Sequence, residues 1–357
     1  MSLVLAESRP DAQSAVQADP SPEQILQIGM GFWPSKVLLS AVELGLFTIL
    51  ADGPQTGAAL EDALGLHPRG TWDFLDALVA LGLLGRQGDG PEARYQNTPA
   101  TALFLDRGSP RYVGGLLEMA NARLYPFWGN LTAGLKTGKA QNEITQDGKP
   151  RFFDELYADP ARLEQFMGAM TGVSRGNFEA FAEKFDFAPF ASHVDIGGAT
   201  GQLASIVQAR HPHLASRSLD LPVVRPIAER HIKAAGLEGR VVAGEVDFFK
   251  DEFPKADLIT MGMILHDWNL EHKKMLIAKA YRALPEGGAF VAIENIIDDA
   301  RRENAFGLMM SLNMLIEFGE AFDFTGADFT AWCLEAGFKR CEILHLAGPC
   351  SAAIAWK

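Results

Sequence analysis

His193-Val194-Asp195-Ile196-Gly197-Gly198-Ala199-Thr200-Gly201 is the stretch of this 357-residue chain that fixes its architecture. Val194 and Ile196 flank Asp195 in a short strand pattern, which runs into three glycines. Gln202 to Arg210 follows with apolar residues at helical spacing: Leu203, Ile206 and Val207. Strand, glycine turn and helix form the first unit of a nucleotide-binding α/β sheet, because glycine lets the backbone take positive φ and approach a ligand closely.

The loop narrows the choice of ligand. A dinucleotide fingerprint would need glycines at 199 and 202, where Ala199 and Gln202 stand. The pattern D-x-G-G-x-T-G instead resembles motif I of the S-adenosylmethionine (SAM) methyltransferases, with Ala199 adding one methyl where a glycine is usual. The plain alternative is an ordinary strand-to-helix turn.

Downstream, strand and helix patterns alternate. Strands are expected at 217–220, 240–243, 257–262 and 289–293, with helices at 224–236, 271–284, 304–318 and 329–336. Such alternation implies a doubly wound, mostly parallel sheet of Rossmann-like type. The last two strands, 338–344 and 351–356, are joined by a short turn and must pair antiparallel. Ligands of such sheets bind at the carboxyl ends of the strands. Asp220, with Leu221 behind it, is placed to accept from ribose hydroxyls, and Asp247-Phe248-Phe249 to accept from and cover an adenine. Gly262 ends the next strand, and Ile264-Leu265-His266-Asp267-Trp268 puts a histidine at the same edge.

Upstream, residues 23–50 read as helix interrupted near 29–34, with Pro34 starting the second piece. Helices at 57–64 and 68–81 and a hairpin of 83–87 with 94–97 complete a winged-helix-like pattern. From 54 to 98, the acids Glu61, Asp62, Asp73, Asp76, Asp89 and Glu92 outnumber Arg69, Arg86 and Arg94. Phosphate binding needs a basic face, so the module reads as one for dimerisation, not for nucleic acid. The expected domains are a flexible tail (1–20), a winged-helix-like dimerisation domain (21–108), a helical lid (109–185) with a polar loop at 138–150 and large apolar residues such as Phe152 and Phe153, and a SAM-binding domain (186–357).

Net charge is −13, which argues against nucleic acid and anionic membranes as partners. No unbroken run of 18 apolar residues occurs, so no span is expected, and no secretory leader is read at residues 1–20. Cys333, Cys341 and Cys350 lack metal-site spacing and read as free thiols in a reducing, cytoplasmic setting.

Taken together, 195–201, Leu219-Asp220-Leu221-Pro222, Asp247-Phe248-Phe249 and Leu265-His266-Asp267-Trp268 resemble the two-domain, small-molecule O-methyltransferases, which include plant caffeate and flavonoid, acetylserotonin and bacterial natural-product enzymes. Glu43-Leu44-Gly45-Leu46-Phe47, Arg94-Tyr95-Gln96-Asn97-Thr98 and Leu135-Lys136-Thr137-Gly138 resemble the N-terminal half of that family. The apolar N-terminal residues Ile25, Ile28, Phe32, Trp33 and Leu38 exceed what a small module can bury and imply a homodimer. The resemblance implies SAM as methyl donor, S-adenosylhomocysteine as product, and His266 as general base flanked by Glu294 and a second acid. That acid falls at Asp323, although the paired glycine and the arginine usual in its segment are missing. Cofactor contacts are expected at Asp195, Gly197, Gly198, Gly201, Asp220, Leu221, Asp247, Phe248 and Gly262. Substrate contacts are expected at Asn121, Tyr125, Trp128, Met167, Met170, Met310, Asn313 and Met314, methionines suiting a flat apolar ligand. A histidine with its ordinary pKa of about 6.5 would be a ready base at neutral pH, and no metal is expected. Methyl transfer to sulfur, nitrogen or carbon, a SAM-binding protein that no longer transfers methyl, and a winged-helix regulator remain as alternatives.

Overall fold

The computed structural model describes residues 20–142 and 156–357. The tail before residue 20, the polar loop from 143 onward, Phe152 and Phe153 lie outside the described residues. The chain divides into two compact units, with the boundary after Tyr125.

In the first unit, the helices Glu23–Gly29, Phe32–Glu43, Leu46–Ile49, Gly57–Leu64 and Pro68–Ala80 accompany a small antiparallel sheet of β1 (Gln55–Thr56), which lies between the third and fourth of them, β2 (Leu84–Gln87) and β3 (Arg94–Asn97), in the order β1-β3-β2. Local chemistry sets the boundaries. The Thr56 hydroxyl accepts from Ala59 N–H at one helix start, and Pro68 occupies the first position of the next, where its missing N–H costs nothing. Pro34 lies within the first turn of Phe32–Glu43, not at its first residue; that turn has no N–H bond for a proline to break. Leu46, Phe47, Leu60, Leu75, Leu78 and Tyr95 form the core. By contrast Glu23–Gly29 buries no residue, and Ile25, Leu26, Ile28, Phe32 and Trp33 are all more than half exposed. The stretch Glu23–Glu43 is long and apolar enough by composition to cross a membrane, although charged and polar residues interrupt it.

The second unit is built on a seven-stranded sheet in the order β6-β5-β4-β7-β8-β10-β9. Its strands are β4 (Ser192–Ile196), β5 (Ala215–Asp220), β6 (Val241–Glu245), β7 (Leu258–Gly262), β8 (Ala289–Glu294), β9 (Arg340–Ala347) and β10 (Cys350–Trp356). β4 to β8 pair in parallel, and β10 is antiparallel to both neighbours. The helices Gln202–Arg210, Arg225–Ala234, Leu270–Ala283 and Gly326–Ala336 cross between or flank the strands. Thr325 and Asp328 form a capping box that starts the last of these earlier than its apolar spacing announced. β6 also sits slightly later in the chain than its apolar pair suggested.

Buried parallel strands are ordinarily apolar throughout. Here the centre of the sheet carries a polar stripe instead. His193 and Asp195 on β4, Ser216 and Ser218 on β5, and Thr260 on β7 are all essentially inaccessible to solvent. In register, Asp195 lies between Ser218 and Thr260. The Thr260 hydroxyl donates to Asp195 Oδ1 at 2.7 Å and sits 2.9 Å from His193 Nε2.

Candidate active site

The glycine loop leaves β4 through a run of positive φ angles: Gly197 at 71°, Ala199 at 47° and Gly201 at 74°. Gly197 and Gly198 donate their N–H groups to Leu219 O, at 2.8 and 3.1 Å, so the loop is laced to the end of β5. A side chain at Gly198 is excluded, because a Cβ there would stand 2.1 Å from Ser218 Oγ and 2.9 Å from Asp195 Oδ2. Ala199 is more than one added methyl. It is an L-residue held in the left-handed region, which costs about 1–2 kcal/mol. Met263, after β7, is held likewise at φ 57°, and such outliers cluster where function overrides backbone preference.

Asp220 closes β5 with both oxygens engaged: Oδ2 accepts from Ala199 N–H at 2.9 Å and Oδ1 from Leu221 N–H at 2.7 Å. Burial pushes its pKa up to about 6, with the two N–H groups pulling the other way. Burial likewise raises Asp195 to about 7, against the Thr260 hydrogen bond. Asp247 caps its own turn, accepting from Phe249 N–H and from Lys250 Nζ, and the ammonium lowers its pKa. Phe248 and Phe249 pack edge-on against each other and against Trp268. Gly262 faces Phe178, whose ring lies 3.0 Å from where a Cβ would stand. An acid with two fixed oxygens, a glycine cradle and an aromatic face beside a second acid fit the diol, backbone-hugging chain and purine of an adenosyl cofactor.

The histidine cluster is carried by three segments: the turn Leu265–Asp267, the end of β8, and the residues before Thr325. His266, Glu294 and Asp323 are buried at 6%, 1% and 3% exposure. His266 Nδ1 lies 3.5 Å from Asp323 Oδ1 and 4.0 Å from Glu294 Oε2, and Nε2 lies 3.4 Å from Asp267 Oδ1. These distances are attractive for charge, yet too long or too poorly aligned for full hydrogen bonds, and His266 Nδ1, Glu294 Oε2 and both Asp323 oxygens have no hydrogen-bond partner. Glu294 Oε1, by contrast, accepts from Ile264 and Leu265 N–H at 3.1 and 2.9 Å, which pins the turn that carries the histidine.

The expectation of an ordinary histidine is corrected here. Burial opposes charge on the imidazole, but Glu294, Asp267 and Asp323 outweigh it and raise His266 to about 10. Burial in turn raises Glu294 to about 7 and Asp267 to about 6. One ligand atom each from His266, Glu294 and Asp323 fall within 4.8 Å of one another, a spacing that a metal ion with bonds of about 2 Å would have to tighten.

The expected substrate residues are divided between the two units. Asn121 and Tyr125 belong to the first unit, where the Asn121 amide donates to Glu43 and accepts from Lys36. Trp128 and Asn313 meet directly, Nε1 donating to Oδ1 at 2.9 Å. Met167 is buried among Leu163, Val224 and Ile227, with Ala199 and Leu221 alongside. Met314 is buried, whereas Met170 and Met310 are half-buried. Sequence reading passed over Thr260 and Lys273. A lone threonine in a strand carries no signal, and Lys273, between His272 and Lys274, carries none either.

A SAM-type sheet with a glycine cradle and a histidine among three acids defines a methyltransferase. Residues 128–339 match the model of the O-methyltransferase domain, and residues 26–107 that of the O-methyltransferase dimerisation domain. The chain is 42% identical over 336 residues to the tetracenomycin polyketide synthesis 8-O-methyl transferase TcmO of Streptomyces glaucescens, covering 94% of this chain and 97% of that one. It is 37% identical to the N,N-dimethyltransferase OxyT of Streptomyces rimosus, covering 88% and 90% respectively. The structure of human N-acetylserotonin methyltransferase in complex with SAM superposes with a TM-score of 0.86 at 29% identity, covering 96% of this chain and 99% of that one. The chain belongs to the SAM-dependent O-methyltransferase family and is an enzyme of secondary-metabolite type.

Proposed function

We propose that the enzyme methylates a phenolic or enolic hydroxyl of a small aromatic secondary metabolite, with His266 as general base and Glu294 and Asp323 as its flanking acids. The observation that carries this reading is the buried imidazole facing carboxylates that leave oxygens unpartnered on its side. When bound, SAM supplies an electrophilic methyl and, on its departure, a neutral thioether. Asp195, the glycine loop, Asp220 and Leu221 would hold its amino-acid and ribose parts, and Asp247, Phe248 and Gly262 its adenine side. A ring nitrogen of His266 would take the proton of the acceptor hydroxyl as that oxygen becomes methylated. Glu294, Asp267 and Asp323 stabilise the imidazolium that results.

At rest these acids keep His266 protonated at neutral pH. His266 would lose that proton more readily with a cationic methyl donor bound, because a second positive charge nearby disfavours the imidazolium. The profile of kcat/KM reports the free enzyme and that of kcat the loaded one. The acid limb of kcat/KM is therefore expected well above pH 6.5, toward 10, with that of kcat at lower pH. Rate falls as pH drops through either value, because the proton occupies the base.

The similarity to TcmO supports an aromatic polyketide-like hydroxyl, through Trp128, Met170, Met310, Asn313 and Met314. The similarity to OxyT keeps an amine acceptor as the second reading. The exposed apolar residues Leu26, Ile28, Phe32 and Trp33 within the dimerisation match support a winged-helix-like dimerisation module and a homodimer. The decisive test is His266→Asn. It should lower kcat by about 10²–10⁴-fold with unchanged SAM affinity by calorimetry, and chelators should leave the wild-type rate alone. Retention of most of kcat would remove His266 from the chemistry and favour an acceptor that needs no base.

A further inference from the structure

The three segments that bring His266, Glu294 and Asp323 together are fastened in pairs. Glu294 Oε1 holds the Ile264 and Leu265 N–H groups, joining the end of β8 to the histidine turn. Ile297 N–H donates to Phe324 O at 3.0 Å, joining the exit of β8 to the segment of Asp323. The third side of this triangle is made by Lys273, in the first turns of Leu270–Ala283. Its side chain is fully buried. The ammonium donates to Trp268 O, two residues past His266, and lies 3.7 Å from the centre of the Phe322 ring, next to Asp323. A second tie runs parallel to it, Asn269 Nδ2 donating to Glu320 Oε2 at 3.2 Å.

A buried lysine is costly unless its charge is matched. The groups that face it are Asp267 from the turn, Glu294 from β8 and Asp323 from the third segment, and all three favour its charged form, although burial lowers its pKa to about 8. A methionine would fill the same volume without that cost, so the ammonium itself has a task. We propose that Lys273 is a positioning residue of the methyl transfer: it clamps the His266 turn to the Asp323 segment and supplies the cation that lets three carboxylates share one buried site. This rests on the reading of His266 as base.

The test is Lys273→Met in the full-length enzyme. kcat is expected to fall about 10²-fold, as for a small misplacement of catalytic groups, while SAM affinity by calorimetry stays within about threefold. With the ammonium gone, the acids hold the proton on His266 more strongly, so the acid limb of kcat/KM moves to higher pH. Phe322→Leu, which leaves the lysine but removes the ring beneath it, should give a smaller loss, and the double variant less than the product of the two. If Lys273→Met does not fold, Phe322→Leu alone must show the lower kcat with unchanged SAM affinity. Unchanged kcat and pH profile in either variant, with only a lower melting temperature, would overturn the proposal. Activity surviving His266→Asn would instead overturn the base reading beneath it.

Discussion

Asp220 and Glu294 each end a parallel strand, and each is gripped by backbone N–H groups, but the grip differs. Asp220 has an N–H on each oxygen. Glu294 has two on Oε1 and none on Oε2, which is left toward His266. A carboxylate fixed at both oxygens presents a constant geometry, as suits a ligand for hydroxyls. A carboxylate with one bare oxygen in a dry site acts through its charge, and here that charge, together with those of Asp267 and Asp323, moves the imidazole by more than burial opposes. Under the proposed function, the Asp220 end is built to hold and the Glu294 end to exchange a proton.

The sharpest way to break this comparison is Glu294→Gln, which keeps Oε1 as an acceptor but removes the charge. kcat should fall about 10²-fold, SAM affinity should hold, and the acid limb of kcat/KM should shift to lower pH, since a lost negative charge lowers the pKa of His266. An unshifted limb would mean that Glu294 serves geometry alone. Next in size, Asp220→Ala should weaken SAM binding by about 2 kcal/mol, roughly 30-fold in Kd, with kcat at saturating SAM nearly unchanged. Equal losses in kcat would erase the distinction between the two acids. The smallest effect sharpens it. Ala199→Gly relieves left-handed strain in the loop that Asp220 pins, and should raise stability by about 0.5–1 kcal/mol, read as a higher melting temperature. A lower melting temperature would show that the loop does not resist its methyl.

The sequence made the cradle legible because glycine spacing, a strand and a helix are local signals. It made His266 legible because it falls just past a strand, where ligands of such sheets bind, whereas Glu294 came only with the family resemblance. Asp323 was legible only through family resemblance, since nothing in Ala321-Phe322-Asp323-Phe324 marks an acid that will meet a histidine. Lys273 was not legible. In His272-Lys273-Lys274, at the head of an amphipathic helix, it reads as solvated charge, and its burial depends on Phe322 arriving from a distant part of the chain. The shifted basicity of His266 escaped for the same reason, because its acids converge from three segments. So did the φ of Ala199, which composition does not encode.

The polar stripe across β4, β5 and β7 has a consequence for how the sheet assembles. In its native alignment the Thr260 hydroxyl reaches both His193 and Asp195. A slip of one residue would turn alternate side chains to the opposite face and set these groups against Ile259 or Met261 in a dry interior, stranding a carboxylate and an imidazole. An all-apolar centre would tolerate such a slip far better. The stripe therefore acts as a proofreading mark between β4 and β7: the alignment that lets Thr260 reach both groups is the one that sets the glycine loop at the sheet's edge.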